Sequence, residues 1–271
     1  NYALSRQVYS NQMELKNLTT KATFAIKGLP KNLNASSITW SPSDSKIAFL
    51  QTEFDRVDLY VLDVASKTAK RINSRPVNAI LGNAFAWIDD NSIVYKAALA
   101  PSNQAPKRGI TPKGPTIQET AGKSAPRPTF QDLIKSPYDE QLFAFFATSQ
   151  LVVNRNGLDQ FIGKPELINS FQLSPNKAYL LTRVIQKPFS YVVPAYGFPT
   201  TVRVQDLTGR VLKVVAELPS SESAPAGNDN VQNVARGFDW RDDEPSTLVY
   251  AMPLDSGLIK KPVEYHDAVY A

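Results

Sequence analysis

The chain of 271 residues has 42% apolar and 20% charged residues, which is typical of a folded globular protein. It has no cysteine, and this excludes disulfides, thiolate metal ligands and a cysteine nucleophile. No apolar run reaches the roughly 18 residues that a membrane-spanning helix needs, so the sequence predicts no membrane span.

The net charge of +5 comes largely from one proline-rich segment, Ala100–Pro128. Its acidic residue is Glu119, and its basic residues are Lys107, Arg108, Lys113, Lys123 and Arg127. The segment has no aromatic side chain on which a nucleic-acid base could stack. We therefore interpret it as a solvated loop, and the sequence predicts no nucleic-acid partner.

A strand–turn–strand unit recurs along the chain, and its copies are Ser37–Leu50, Phe85–Tyr95, Ser170–Leu181 and Gly237–Tyr250. In the first copy a strand ends at Trp40, and Ser41 and Pro42 open a type I turn because proline fixes φ at its first central position. The apolar run that follows has the length of a buried strand. Such repetition indicates an architecture built from repeated sheets.

In chain order, the first predicted element is a pair of strands that forms half a repeat, and fuller repeats follow. We predict blades at 11–28, 37–73, 84–163, 168–217 and 236–271, with insertions at 98–140 and 186–199. The insertions are needed because a four-stranded repeat takes only about 40–45 residues. The last copy is expected to end soon after its second strand.

Within the first insertion, Thr129–Lys135 predicts one short helix that Thr129 caps and Pro137 stops. The outer strands of that blade are predicted at Leu142–Asn154 and Leu158–Gly163, joined by an Asn-Gly turn. The half of the insertion before the helix is expected to be extended and less well packed than the sheets.

These elements predict an all-β fold over residues 1–271: a β-propeller segment of four-stranded blades, with a long proline-rich insertion and one short helix. The chain starts at Asn1 rather than at a methionine, and its repeats begin and end within a blade. We therefore expect a partial ring, which is either a fragment of a larger ring or a chain that closes in an unusual way. Its unpaired sheet edges favour self-association.

The sequence shows no complete catalytic site. It has a single histidine, His266, and no Gly-x-Ser-x-Gly motif, so a serine hydrolase triad cannot be assembled. Adjacent carboxylates such as Asp89 and Asp90 fall in predicted turns, where aspartate is favoured for turn geometry. We predict no catalytic residue, no metal site and no cofactor.

One connection differs from the others, the stretch Arg183–Pro199, which places two cations among aromatic residues and prolines. Loops on a rigid scaffold often bind ligands, so we single out Arg183, Lys187 and Tyr191 as candidate substrate-binding residues. The alternative interpretation is that the aromatic side chains only pack the loop onto its own sheet.

Several motifs resemble the propeller of the glutamyl endopeptidase branch of the prolyl oligopeptidase-type serine peptidases. They are Lys113–Glu119, Thr129–Lys135, Ala147–Leu151, Lys187–Pro194 with Phe198-Pro199, and Pro245–Leu248. The resemblance implies a propeller that gates a separate α/β-hydrolase domain of the same parent protein, in which the Ser-Asp-His triad lies. The sequence departs from the family pattern at Gln186-Lys187, where a His-Arg pair would be expected.

The resemblance implies a non-catalytic propeller portion that admits and orients peptide substrates, with cleavage after acidic residues. In this hypothesis Arg183 and Lys187 hold an acidic side chain or a peptide carboxylate, and Tyr191 packs on the peptide. By the same resemblance, the bacterial periplasm or secretion is the expected location. The alternative function is a stand-alone propeller that serves as a protein-binding scaffold.

Overall fold

The computed structural model describes residues 1–109, 130–225, 227 and 229–271, and its strands are antiparallel. A small sheet pairs β1 (Glu14–Lys16) with β2 (Thr23–Ala25). Sheet 1 contains β3 (Ala35–Trp40), β4 (Lys46–Thr52), β5 (Val57–Asp63) and β6 (Thr68–Arg71). Sheet 2 contains β7 (Phe85–Asp89), β8 (Ser92–Ala98), β9 (Ser149–Arg155) and β10 (Leu158–Glu166).

Sheet 3 contains β11 (Ile168–Leu173), β12 (Tyr179–Ile185), β13 (Thr200–Asp206) and β14 (Val211–Leu218). Sheet 4 contains β15 (Arg236–Trp240), β16 (Leu248–Pro253) and β17 (Asp267–Tyr270). In each sheet, strands that are consecutive in the chain are neighbours in space. This arrangement confirms the predicted all-β propeller segment.

The predicted serine–proline turns form between the first and second strands of sheets 1 and 3. In sheet 1 the Ser41 carbonyl accepts from the Asp44 N–H at 2.9 Å, and its Oγ accepts from the Lys46 N–H at 3.1 Å. Ser174 repeats both contacts in sheet 3, with Lys177 at 2.8 Å and Tyr179 at 3.0 Å. A buried serine therefore fixes where each second strand begins.

The first strands of neighbouring sheets lie side by side, and tryptophan side chains join them. The Trp87 indole donates to the carbonyl of Thr39 in sheet 1 at 3.4 Å. The Trp240 indole donates to the carbonyl of Gln172 in sheet 3 at 3.2 Å. Trp40 occupies the same position in sheet 1 but is 52% exposed.

The hydrophobic core lies between the sheets rather than within any one of them. A cluster that includes Leu59 and Tyr95 joins sheets 1 and 2, and a second that includes Val94 and Phe171 joins sheets 2 and 3. A third cluster around Trp240 joins sheets 3 and 4. Neighbouring residues of β8 point into different clusters, so both faces of that strand are buried.

The helix prediction is wrong in position. Helix α1 spans Pro137–Ala147, and Pro137 begins it instead of stopping it. Proline suits the first helical turn, where its missing N–H would have no acceptor, and the Ser136 side chain caps the helix by accepting from the Asp139 N–H. The predicted strand Leu142–Asn154 is therefore helical in its first part and becomes β9 only from Ser149.

Two other predictions for single elements have different outcomes. The last copy does not end after its second strand, because β17 returns along β16 with Tyr270 opposite Tyr250. Asn156 and Gly157 form the predicted hairpin between β9 and β10. Most of the proline-rich half of the first insertion, for which an extended structure was expected, lies outside the described residues.

Two turn glycines allow a test of the contact between sheets 2 and 3. Both have positive φ, but a Cβ on Gly209 would lie 2.1 Å from the Gly163 nitrogen, whereas a Cβ on Gly157 would meet nothing within 4 Å. We expect Gly157→Ala to lower the free energy of unfolding by about 1–2 kcal/mol, the cost of the left-handed conformation. Gly209→Ala should cost clearly more. Equal losses in urea titrations of the two variants would contradict this contact.

Candidate functional site

The two ends of the sheets carry different connections. Because the strands are antiparallel, the turns after each first and third strand lie at one end, which we call the turn end. Connections between second and third strands lie at the other, which we call the insertion end; their described residues are 53–56, 99–109, 130–148, 186–199 and 254–266. Exposed aromatic side chains also lie there, with Phe54 98%, Tyr196 76% and Tyr265 66% exposed. The insertion end is therefore the candidate functional surface.

Helix α1 of sheet 2 packs against the connection 186–199 of sheet 3 through three phenylalanines. The Phe143 ring meets Phe189 and Phe198 edge-on, with ring centroids 5.0 and 5.6 Å away. Phe189 and Phe198 stack on each other at 5.4 Å and are buried. These aromatic residues thus pack the connection onto the helix of the neighbouring sheet, a partner that the sequence did not indicate.

Arg183, the first predicted site residue, lies on β12 near the insertion end and is half-buried. Its Nη2 donates to the carbonyl oxygen of Phe238 in β15 at 2.8 Å. The guanidinium therefore joins sheet 3 to sheet 4, and at least one of its donors is already used inside the scaffold.

Lys187 and Tyr191 lie in the connection 186–199 itself. Lys187 is exposed, and its Nζ lies 5.5 Å from the centroid of the Phe189 ring, a cation–π distance. Tyr191 is half-buried and lies near Glu140 in the first turn of α1. Partial burial, and then this carboxylate, raise the pKa of Tyr191. Of the three predicted residues, Lys187 has the most accessible charge.

A buried lysine that the sequence analysis missed lies beneath this helix and connection. Lys96 in β8 is 1% exposed, its Nζ donates to the carbonyl of Leu81, and burial lowers the pKa of Lys96 to about 7. Nearby, Asn78 Nδ2 donates to the carbonyls of Phe146 and Thr148 at the end of α1. The signal in the sequence was a single charged residue inside an apolar strand.

His266, the single histidine of the sequence, pairs with a buried carboxylate. Its Nδ1 lies 2.7 Å from Oδ2 of Asp255, and this hydrogen bond helps to lower the pKa of the buried aspartate. Asp255 Oδ1 also accepts from the Gly257 N–H at 2.7 Å. Among the described residues no serine hydroxyl is hydrogen-bonded to this histidine, and the pair holds the connection between β16 and β17.

The part of the chain that the structure describes contains no cluster of three or more His, Asp or Glu residues able to hold a metal ion. No helix within that part is long and apolar enough to cross a membrane.

No protein-family model matches the sequence. It is 32% identical over 259 residues to a probable chloroplastic glutamyl endopeptidase of Arabidopsis thaliana, a match that covers 90% of this chain and 26% of that protein. It is 31% identical over 258 residues to the protein of the same description from Oryza sativa subsp. japonica, covering 90% and 27%. The chain therefore spans about a quarter of the length of these curated relatives, and the resemblance to the glutamyl endopeptidase branch is confirmed.

Among solved structures, the acylaminoacyl peptidase of Pyrococcus horikoshii is 15% identical with a TM-score of 0.44, and the match covers 95% of this chain and 32% of that one.

The burial of Lys96 predicts a pH dependence of stability. The unfolded lysine keeps its proton up to about pH 10.5, while the folded one loses it near pH 7, so the unfolded state binds more protons in between. The free energy of unfolding should therefore rise by about 2 kcal/mol from pH 7 to 9 through this residue. Lys96→Met should remove that rise in urea titrations, whereas Lys70→Met, at an exposed strand position, should keep it. A rise that survives in Lys96→Met would contradict the assignment.

Proposed function

We propose that this chain is the non-catalytic propeller portion of a glutamyl endopeptidase-type serine peptidase, which admits and orients peptides for a separate α/β-hydrolase domain. The observation that carries the proposal is sequence identity of about 32% to such a relative along 90% of the chain. The sequence has one histidine and no Gly-x-Ser-x-Gly motif, which agrees with a nucleophile located in another domain.

The shape of the scaffold supports a role in peptide handling. Long connections and exposed aromatic residues are gathered at the insertion end, and protein and peptide contacts favour such residues. Lys187 is exposed there, next to the face of Phe189. Since Arg183 already donates to a backbone carbonyl, Lys187 is the cation that we expect to meet an acidic side chain of the substrate.

The gene distinguishes this proposal from a stand-alone binding scaffold. Under the peptidase hypothesis the reading frame continues beyond the codon for Ala271 into a segment that encodes Gly-x-Ser-x-Gly, followed by aspartate and histidine codons. A stop codon directly after Ala271, with no hydrolase domain encoded elsewhere in the same frame, would favour the scaffold and overturn the peptidase role.

Charge reversal tests the acidic preference in the complete peptidase. Lys187→Glu should lower kcat/KM for a peptide with glutamate at the cleavage site about tenfold more than for its glutamine analogue, because one charge-assisted hydrogen bond is replaced by repulsion. Lys177→Glu makes the same charge change at the turn end of sheet 3. It should change kcat/KM only slightly, and by the same factor for both peptides. The chain without its hydrolase domain serves as the inactive control. Equal losses on both peptides in Lys187→Glu would exclude the specificity role.

We also propose that the isolated chain self-associates through the edge of sheet 4. Beyond β17 no described strand pairs, Val269 on that strand is 75% exposed, and a cavity of 480 Å³ lies between β14 and sheet 4. An unpaired apolar edge favours pairing with another chain. Sedimentation velocity should show association that grows with concentration and is lost in Val269→Lys but kept in Val8→Lys, at another exposed valine. A monomeric wild-type chain at all concentrations would contradict it.

A further inference from the structure

A cavity of 350 Å³ lies at the insertion end between sheets 1 and 2, away from the connection that carries Lys187. The connection 53–56 of sheet 1 forms one wall, the segment that follows β8 forms the opposite wall, and residues 75–76 close one side. Tyr2 also lines it, and its hydroxyl donates to the carbonyl of Ala100 at 2.6 Å. Because Tyr2 is 1% exposed, this part of the cavity is fixed by core packing.

Two arginines line the cavity, and each is held in place by a different contact. Arg56 Nε and Nη2 donate to Oδ1 of the buried Asp58 at 3.0 and 2.6 Å. The Arg75 guanidinium lies over the ring of Phe161 with its central carbon 4.8 Å from the centroid. A guanidinium that stacks on an aromatic ring keeps its N–H groups free at the edge.

The charge of the cavity favours a singly charged anion. Asp58 is already neutralised by Arg56 and by Arg71, which lies 3.6 Å away. Arg75 makes no ion pair with any described residue, and Asp55 is the acidic residue in the lining. With Arg71 and Asp58 included, three arginines face two carboxylates, a net charge of +1, so a second negative charge on a ligand would meet repulsion from Asp55.

The remaining lining is mostly apolar and comes from Pro76 and from residues 98–101, which include Leu99 and Pro101. Leu99 is 37% exposed. Such a surface suits the side chain next to a carboxylate in a peptide, since a carboxylate pairs with the planar fork of an arginine while its apolar neighbour covers the wall.

We infer that this cavity is a binding site for a peptide carboxylate, held by Arg75 with an apolar neighbouring residue against Leu99 and Pro101, while Arg56 stays bonded to Asp58 and adds positive charge to the wall. The site does not depend on the proposed peptidase role, because it is formed entirely by this chain. Binding to the isolated chain therefore tests it separately from catalysis.

The experiment is calorimetric titration of the chain with blocked peptides. The probes are Ac-Ala-Leu-Glu-Ala-NH2, its glutamine analogue, and the same glutamine peptide with a free C-terminal carboxylate. We expect one or both carboxylate peptides to bind at least tenfold more tightly than the fully neutral one, and more weakly as sodium chloride is raised. The stronger of the two identifies the source as a side chain or a chain terminus. Equal affinity for all three peptides would overturn the inference.

Variants locate the site. Arg75→Gln should weaken binding of the carboxylate peptide at least tenfold, while Arg155→Gln, an exposed arginine at the turn end of sheet 2, should not. Asp55→Asn should strengthen binding because it removes the opposing charge, whereas Asp44→Asn at the turn end of sheet 1 should leave it unchanged. Thermal unfolding checks that each variant is folded. Equal effects of Arg75→Gln and Arg155→Gln, or tighter binding of inorganic phosphate than of the peptides, would overturn the assignment.

Discussion

Face-to-face packing of apolar sheets holds this protein together. A single antiparallel sheet of this composition would leave two apolar faces in water, so each sheet is stable only against its neighbours. The core clusters accordingly lie between sheets, and every residue of β8 is buried because that strand contributes to two of them. At about 1.5–3 kcal/mol for each fully buried large apolar side chain, these interfaces are the main source of stability.

Polar contacts set how the packed sheets are aligned. Dispersion between apolar faces has no preferred direction, whereas an indole hydrogen bond does. The indoles of Trp87 and Trp240 each donate to a carbonyl in the first strand of the preceding sheet. These hydrogen bonds fix the position of one sheet along the strand direction of its neighbour. The first strand of sheet 3 ends in Leu173 instead, and there the Asn83 side chain accepts from the Phe171 N–H to link sheets 2 and 3.

This alignment separates scaffold from candidate function. With the sheets at one height, antiparallel connectivity places every long connection at the same end, where lengthening a loop does not disturb the core. The cations at that end then differ in what holds them. Arg183 is joined to a backbone carbonyl, Lys187 lies against a phenylalanine ring, and Arg75 lies over Phe161 beside an open cavity. A lysine or arginine can therefore bind a ligand carboxylate only where its N–H donors are not already bonded within the protein.

Sequence patterns alone predicted the repeated sheets, the serine–proline turns and the Asn-Gly hairpin, because strand pairing and turn geometry depend on residues close together in the chain. The sequence also carried the family resemblance and identified the connection that contains Lys187 and Tyr191. It did not locate α1, since Pro137 is compatible with either the end or the start of a helix and the choice depends on Ser136 capping and on Phe143 packing against Phe189. Nor did it show the burial of Lys96, the hydrogen bond between Arg183 and Phe238, or the cavity at Arg75. Each of these joins segments of different sheets, and such contacts exist only once the sheets have packed.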